Sequence, residues 1–457
     1  MASRWTVLLA ACVLGMVSPM CRSSAQGQEP TRAAIRAETG AMFVTFKQEH
    51  VPPGFAEAVE REGGRILFNL ASIGVSVVAG LSEASVRRLT GEHGGADVAP
   101  DVWIPLTSGG ATEVPPVAST ITEPLLEAQW GLRLMGAQRA IESGFTGRNA
   151  RIAVIDSGVF YDHPDLAPNY AGGINLFAPF CTADPSAPPS ACDPADPNDT
   201  NGHGTWVAGI AAAALNGQGI VGVAPDAQLV AIKACGFMFP GSCPLSSVVA
   251  GIFYAADIGV DVINLSINCV VGITCPAEEG LIKALHRVTT YAGTKGALVV
   301  GISQNNGLDL DASNLHLAIG EFDHVVVVSA VGAQAESATF FAVRYSNIGR
   351  VVDLAAPGGS APTSGVIGTW SPLVPTPLGG ARVLPGGLYA FSGGTSAAAP
   401  HVAGAAAQVI GRLGRTRPEL LKILLQRTAV DLGAPGRDPV FGSGLVNLWE
   451  LLRQLPD

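Results

Sequence analysis

Five short, mostly aliphatic runs in the last two thirds of the chain constrain the fold more than any other feature. They cover residues 151–155, 229–233, 260–267, 297–302 and 324–330. A strand with one face in solvent alternates apolar and polar residues, whereas a parallel strand covered by helices on both faces is apolar almost throughout. The runs therefore predict a parallel sheet that is buried on both sides.

Stretches with helical character separate these runs, at residues 203–215, 247–258, 278–291 and 396–413. Strands that alternate with helices form a doubly wound α/β sheet, and ligands bind beyond the carboxyl ends of its strands. The composition agrees, since 48% of the residues are hydrophobic, only 14% are charged, and 56 glycines and 32 prolines supply turns. We therefore expect a doubly wound, mostly parallel α/β domain.

A different pattern precedes this domain. Strand-like segments at 42–46, 65–70, 74–78 and 96–103 alternate with helical segments at 53–62 and 83–89. The order βαββαβ predicts a small α+β domain. Residues 105–122 follow, rich in Pro, Thr, Ser and Gly, and this composition predicts an exposed linker that is open to proteolysis.

The first 25 residues have the three parts of a secretory signal peptide. Arg4 precedes an apolar run at residues 7–17, and Ser23-Ser24-Ala25 supplies the small residues before a cleavage site after Ala25. The run is too short to cross about 30 Å of hydrocarbon. A lipoprotein signal at Cys21 is the alternative, but the residues before it do not suit lipidation. We expect a secreted protein, extracellular or, in a Gram-negative source, periplasmic.

The formal net charge of −10 bears on the partners of the protein. Nucleic-acid binding depends on clustered Lys and Arg that neutralise phosphates, and the sequence has no such cluster. No segment after the signal peptide is apolar enough to span a bilayer. We expect a monomer that binds neither nucleic acid nor membrane.

Eight cysteines are present, and two of them leave with the signal peptide. Six cysteines in an oxidising compartment allow 15 disulfide connectivities. They lie in three close pairs, which favours Cys181–Cys192, Cys235–Cys243 and Cys269–Cys275. A zinc site is the alternative, but no Cys-x-x-Cys motif supports it.

Three polar residues stand where a doubly wound sheet places its chemistry. Asp156 ends the first aliphatic run, His203 lies between two glycines at the start of a helical stretch, and Ser396 begins another after Gly393-Gly394. Each has an ordinary explanation alone: a turn aspartate, a surface histidine and a helix N-cap serine. A serine at a helix N-terminus also suits a nucleophile, because nearby N–H groups stabilise a developing oxyanion.

Together the three segments resemble the subtilase family of subtilisin-like serine proteases. The matching motifs are VIDSG, NGHGTWVAG and GTSAAAPHVAG, in the order Asp, His, Ser. The segments GVAP at 222–225, VINLS at 262–266 and GSGLVN at 442–447 extend the resemblance. It covers the chain from about Gln129 to the C-terminus.

The resemblance implies a serine endopeptidase that needs no cofactor for catalysis and acts on protein or peptide substrates. Ser396 would be the nucleophile, His203 the general base and then acid, and Asp156 the residue that orients the imidazole. Asn305 would donate to the oxyanion, with its neighbour Asn306 as the alternative in register.

The substrate-binding residues implied by the resemblance are Ser266, Ile267, Asn268, Ser303 and Gln304. Asn268 and Gln304 depart from the family pattern, which usually has glycine at both positions. These positions line S1, the pocket for the side chain of P1, the substrate residue whose carbonyl is attacked. A buried amide without a partner is costly, so we expect small or polar P1 residues to be preferred over Phe and Leu.

The resemblance also implies a domain plan. Residues 1–25 would be the signal peptide, 26–104 a propeptide that assists folding and inhibits the enzyme, 105–122 the linker, and 123–457 the catalytic domain. Removal of the propeptide would be autocatalytic.

A structural calcium ion is a further implication. Asp165 matches a position that binds calcium in some family members, and Asn216 lies in a nearby loop, although turn capping explains Asp165 equally well. The acidic residues Asp193, Asp196 and Asp199 form a second candidate, but their spacing is not that of an EF-hand.

Other functions lack their motifs. An α/β-hydrolase esterase needs Gly-x-Ser-x-Gly and the order Ser, Asp, His, and a metalloprotease needs His-Glu-x-x-His. The substitutions at Asn268 and Gln304 leave one alternative, a catalytically dead binding protein on the subtilase fold.

Overall fold

The computed structural model describes residues 38–105, 120–183, 189–236, 242–320, 322, 324–332, 341–359, 365–374 and 380–456. The predicted signal peptide and most of the predicted linker lie outside these residues.

The N-terminal unit, residues 38–105, has the predicted order of elements. They are β1 (Glu38–Phe46), α1 (Phe55–Arg61), β2 (Arg65–Leu70), β3 (Val75–Ala79), α2 (Glu83–Glu92) and β4 (Ala96–Pro105). The strands pair antiparallel in the order β2-β3-β1-β4. Val44, Phe46, Phe55, Val59 and Val86 are buried together between strands and helices, so this unit has an apolar core of its own.

A mostly parallel sheet forms the centre of the remaining chain, the catalytic unit predicted from the sequence. Its strands and a short strand beside it are β5 (Arg151–Asp156), β6 (Tyr170–Asn175), β7 (Gln228–Lys233), β8 (Ser242–Pro244), β9 (Val262–Leu265), β10 (Leu298–Ile302), β11 (Val325–Gly332), β12 (Phe341–Ala342) and β13 (Leu354–Pro357). The sheet order is β12-β11-β10-β9-β5-β7-β6, with β13 also pairing with β11. Within this sheet every strand pair except β11 with β12 is parallel, which confirms the predicted sheet.

Helices cover both faces of the sheet. Those of the catalytic unit are α3 (Trp130–Leu134), α4 (Ala137–Glu142), α5 (His203–Ala212), α6 (Leu245–Asp257), α7 (Glu279–Thr294), α8 (Thr395–Leu413), α9 (Pro418–Arg427) and α10 (Leu448–Gln454). Ile152 and Val154 of β5 share a buried cluster with α5 and α8. Ala153 and Ile155 share another with α6 and α7, as the alternation of side chains along a strand requires. A small sheet, β14 (Val366–Thr369), β15 (Arg382–Val383) and β16 (Tyr389–Ser392), lies outside the central one.

The N-terminal unit packs on the face covered by α6 and α7. Phe43, Val77 and Ile104 are buried in the same apolar cluster as residues of these two helices. In addition, β4 pairs antiparallel with β8, and Ile104 lies opposite Cys243. The sheet of the N-terminal unit therefore continues into a strand of the catalytic unit.

The three predicted disulfides are all present, as Cys181–Cys192, Cys235–Cys243 and Cys269–Cys275. None of the helices in the part of the chain that the structure describes is long and apolar enough to cross a membrane.

Candidate active site

The predicted site residues lie together at the carboxyl edge of the central sheet. Asp156 is the last residue of β5, the segment 266–268 follows β9, and the segment 303–305 follows β10. His203 is the first residue of α5, and Ser396 is the second residue of α8. Residues that are far apart in sequence meet here because parallel strands end at the same edge.

Asp156 and His203 form a buried pair. Asp156 Oδ1 lies 2.8 Å from His203 Nδ1 and also accepts a hydrogen bond from the Ser157 N–H at 2.7 Å. Burial by itself would lower the pKa of His203, but the charge and hydrogen bond of Asp156, together with the charge of Asp199, raise it above its usual 6.5. The imidazole is thus held in one orientation and prepared to become charged.

Ser396 is fully buried at the start of α8. Its hydroxyl donates to the carbonyl of Ser266 at 3.3 Å, and the Ser266 hydroxyl donates back to the Ser396 carbonyl at 2.9 Å. On the imidazole of His203, Nε2 is buried and has no hydrogen-bond partner. The nitrogen that would accept the serine proton is therefore unoccupied.

Asn305 lies next to the start of α8. Asn305 Oδ1 accepts hydrogen bonds from the N–H and the hydroxyl of Thr395, at 2.9 and 2.8 Å. The side chain of Asn305 therefore contacts the residue that precedes the candidate nucleophile. Asn306 is exposed, and its N–H donates to Asn347 Oδ1 at 3.1 Å.

Comparison with known proteins agrees with this geometry. The model of the subtilase family matches residues 147–444. Subtilisin NAT of Bacillus subtilis subsp. natto is 30% identical over 448 residues, which is 97% of each chain.

The chain belongs to the subtilase family. It is a serine-type endopeptidase. Subtilisin Savinase of Lederbergia lenta is 33% identical over 318 residues, covering 70% of this chain and 96% of that one. Among solved structures, fervidolysin from Fervidobacterium pennivorans, described as a keratinolytic enzyme related to subtilisin, superposes with a TM-score of 0.70 at 25% identity. That match covers 92% of this chain and 61% of the fervidolysin chain.

Asp199 supports the site of this subtilase in a way that sequence reasoning missed. Its Oδ1 accepts from the Ser157 hydroxyl, the Asn201 N–H and the Gly202 N–H at 2.8–2.9 Å. Its Oδ2 accepts from the N–H and hydroxyl of Thr205 at 2.9 and 2.5 Å. This carboxylate, a calcium candidate from the sequence, is buried and holds the backbone on both sides of His203. The sequence signal that could have indicated this role is the position of Asp199, four residues before His203.

A buried lysine stabilises the segment that precedes His203. Lys233, the last residue of β7, donates to the Asn198 carbonyl at 2.7 Å and to the Thr200 hydroxyl at 3.1 Å. Burial lowers the pKa of Lys233, and the charges of Asp199 and Asp196 oppose that shift.

The two amides that depart from the family pattern have partners. The amide nitrogen of Asn268 donates to the carbonyls of Ile302 and Ile319 at 2.9 and 2.6 Å, and its oxygen accepts from the Cys269 and Ile319 N–H groups at 2.9 and 3.1 Å. Gln304 donates to the main-chain carbonyl of Asn268. Both amides are therefore hydrogen-bonded within the protein, to groups that include distant segments of the subtilase fold.

The remaining substrate-binding candidates lie in the same two segments. Ile267 is buried in the apolar cluster beside α6 and α7. Ser303 directs its hydroxyl toward the Ser346 hydroxyl, 3.1 Å away, so that side chain faces the interior.

Most polar groups at the predicted calcium position of this subtilase already have protein partners. The amide oxygen of Asn216 accepts from the Gln218 N–H at 2.9 Å, and its nitrogen donates to the Pro164 carbonyl at 3.1 Å. Glu123 accepts from the N–H groups of Asn216 and Gly217 at 2.7 and 2.8 Å. Calcium takes six to eight oxygen ligands. The carboxylates of Asp165 and Glu123 retain one oxygen each without a partner, and no group of three or more His, Cys, Asp or Glu in the described residues could hold a metal.

Proposed function

We propose that this subtilase is a secreted endopeptidase that forms an acyl-enzyme on Ser396, with His203 as general base and acid and Asp156 as its orienting partner. One observation carries the proposal. The imidazole of His203 is held by Asp156 through Nδ1, while Nε2 on the opposite side of the ring is buried and has no partner.

This arrangement gives His203 one chemical role. A proton on Nδ1, facing the carboxylate of Asp156, leaves the lone pair on Nε2 to accept a proton. When a peptide binds, the Ser396 hydroxyl turns from the Ser266 carbonyl to Nε2 and its oxygen attacks the peptide carbonyl. The carbon–oxygen bond forms as the proton passes to His203. The raised pKa of His203 favours the imidazolium that results.

The developing oxyanion needs donors in a fixed place. The amide nitrogen of Asn305 is the candidate, because Thr395 already holds the amide oxygen, and the first-turn N–H groups of α8 have no acceptors within the helix. The carbonyl then re-forms, the carbon–nitrogen bond breaks, and His203 gives its proton to the leaving amine, so that the acyl group remains on Ser396 as an ester. A water molecule, activated by the same histidine, hydrolyses the ester on Ser396.

We further infer that residues 26–104 form an inhibitory propeptide and that the enzyme itself cuts the linker 105–122. The antiparallel pairing of β4 with β8 supports this, because it leads the chain from the N-terminal unit along a short strand of the catalytic unit and into the linker. The N-terminal signal sequence supports secretion.

A fluorophosphonate probe tests the proposal, since it labels only an activated serine. The wild-type protein should cut its own linker and then be labelled, whereas Ser396→Ala should remain a full-length precursor and stay unlabelled. The expected loss is about 10⁶-fold in kcat, the scale known for subtilisin itself. A wild-type protein that is correctly folded but unlabelled would instead be a binding protein.

A further inference from the structure

Two segments flank Ser396 at the carboxyl edge of the sheet. One is 266–268, which follows β9 and contacts Ser396 through the Ser266 carbonyl. The other is 303–305, which follows the neighbouring strand β10 and contacts Thr395 through Asn305. A substrate side chain that enters next to the nucleophile must therefore pass between these two segments.

Gln304 bridges that gap. It lies in the second segment, and its amide nitrogen donates a hydrogen bond to the main-chain carbonyl of Asn268 in the first. Gln304 is only 2% exposed, so its side chain fills space between the segments and does not extend into solvent.

The backbone of Gln304 shows that this placement is enforced. Its φ is 77°, in the left-handed region that side-chain-bearing residues rarely adopt. Such a conformation persists only where surrounding contacts hold it. Here the Gln304 carbonyl accepts from the Asn347 N–H at 3.0 Å, and its amide oxygen accepts from the Asn305 N–H at 3.3 Å.

The acceptor end of the bridge is equally fixed. Three of the four hydrogen bonds of the Asn268 side chain tie it to Ile302 and Ile319, and the fourth joins it to the adjacent Cys269 N–H. The disulfide Cys269–Cys275 begins at the next residue and is buried. The Asn268 carbonyl therefore has little freedom to move away from Gln304.

We propose that Gln304 determines specificity by closing the S1 pocket, so that the enzyme cleaves after Gly, Ala or Ser and excludes large P1 residues of any polarity. This rests on the proposed function, because it assumes that Ser396 is the nucleophile. A larger P1 side chain must break the bridge and leave a buried donor and a buried acceptor unpaired. Large polar residues are excluded with Phe and Leu, which differs from the expectation drawn from the sequence.

Peptides that differ only at P1 test the proposal. For the wild-type enzyme, kcat/KM with Ala should exceed that with Phe, Leu or Gln by about tenfold to a hundredfold. Gln304→Gly removes the bridge and suits the left-handed backbone, so the Phe-to-Ala ratio of kcat/KM should rise by about the same factor. Gln304→Ser, whose side chain is too short to reach Asn268, is a second variant that should shift the ratio in the same direction.

Asn149→Gly is the matched control. Asn149 is exposed and has a φ of 70°, so the substitution makes the same backbone change outside the site and should leave the ratio unchanged. Probe labelling of Ser396 is measured in parallel. If the wild-type protein is labelled on Ser396 and cleaves after Phe, Leu or Gln as well as after Ala, the closed pocket is overturned but the proposed function stands. The same holds if the Gln304 variants are labelled and their Phe-to-Ala ratio of kcat/KM is unchanged. An unlabelled wild type overturns the proposed function and this inference with it.

Discussion

The carboxylate of Asp101 in β4 accepts two hydrogen bonds from Ser246 in α6, from the N–H at 2.9 Å and from the hydroxyl at 2.6 Å. A third comes from the Thr39 hydroxyl at 2.9 Å, and Asp101 is fully buried. The first N–H groups of a helix lack acceptors within it, and a side-chain oxygen can supply one. A residue of the N-terminal unit therefore caps a helix of the catalytic unit.

Asp101→Ala should weaken the binding of the N-terminal unit to the catalytic unit. Loss of a helix cap costs about 0.5–2 kcal/mol, which corresponds to a two- to thirtyfold loss of affinity. After linker cleavage, peptidase activity should rise sooner in this variant than in the wild type. Glu60→Ala, at an exposed position in α1, is the control. If peptidase activity rose in both variants with the same time course as in the wild type, the cap would contribute nothing to inhibition.

The same carboxyl group should make inhibition pH-dependent. Burial raises the pKa of Asp101 from 3.8 to about 6, against the opposing effect of the Ser246 and Thr39 hydrogen bonds. The pKa of Asp101 is higher when the N-terminal unit is bound to the catalytic unit than when it is free. Asp101 therefore stabilises the bound state most below pH 4, and this contribution is lost as the pH rises through about 6. The inhibition constant of the cleaved N-terminal unit should increase over this window. In Asp101→Asn that part of the pH dependence should disappear, and a profile identical to that of the wild type would contradict the assignment.

Asn305→Ala should lower kcat with little change in KM. A donor aimed at the oxyanion acts mainly in the transition state, and in subtilisin such a donor is worth about 10²–10³ in kcat. Asn306→Ala, at the exposed neighbouring position, should stay close to wild type. Steady-state kinetics on one peptide substrate decide the point, and the reverse pattern would move the donor to Asn306.

Activity should fall on the acid side as His203 becomes protonated. Asp156 and Asp199 raise the pKa of His203 above 6.5 despite burial, and only the neutral imidazole can accept the serine proton. The acid limb of kcat/KM, measured on a substrate without ionisable side chains, should therefore have its midpoint above pH 6.5. A midpoint clearly below that value would mean that burial dominates the electrostatics.

Removal of calcium should not affect stability through the loop near Asp165. Glu123 already holds this loop by accepting from the N–H groups of Asn216 and Gly217. The melting temperature should be the same with EDTA and with calcium. Glu123→Ala should lower the free energy of unfolding by about 1–3 kcal/mol, because the two hydrogen bonds from the Asn216 and Gly217 N–H groups to a carboxylate are lost. Glu127→Ala, at an exposed position nearby, is the control, and a loss of stability in EDTA that calcium restores would contradict this account.

Several features of the protein were predictable from sequence because their signals are local. Apolar runs on both faces of a strand specify a buried parallel sheet wherever the strand finally lies. The disulfide partners are only 6, 8 and 11 residues apart, so proximity along the chain selected the pairs. Asp156, His203 and Ser396 are distant from one another, but each sits in a short motif at an element boundary, and their order is that of the subtilase family.

The directions of side chains were decided only by the tertiary structure. Gln304 and Asn268 are 36 residues apart, and nothing near either one indicates that an amide would bridge to a main-chain carbonyl. Asp101 and Ser246 are separated by 145 residues and belong to different folding units. The energy of a buried polar group depends on the partner it meets, and for these groups the partner is brought into place by strand order and helix packing. Sequence therefore determined which residues stand at the carboxyl edge of the sheet, and packing determined the hydrogen-bond partners of their side chains.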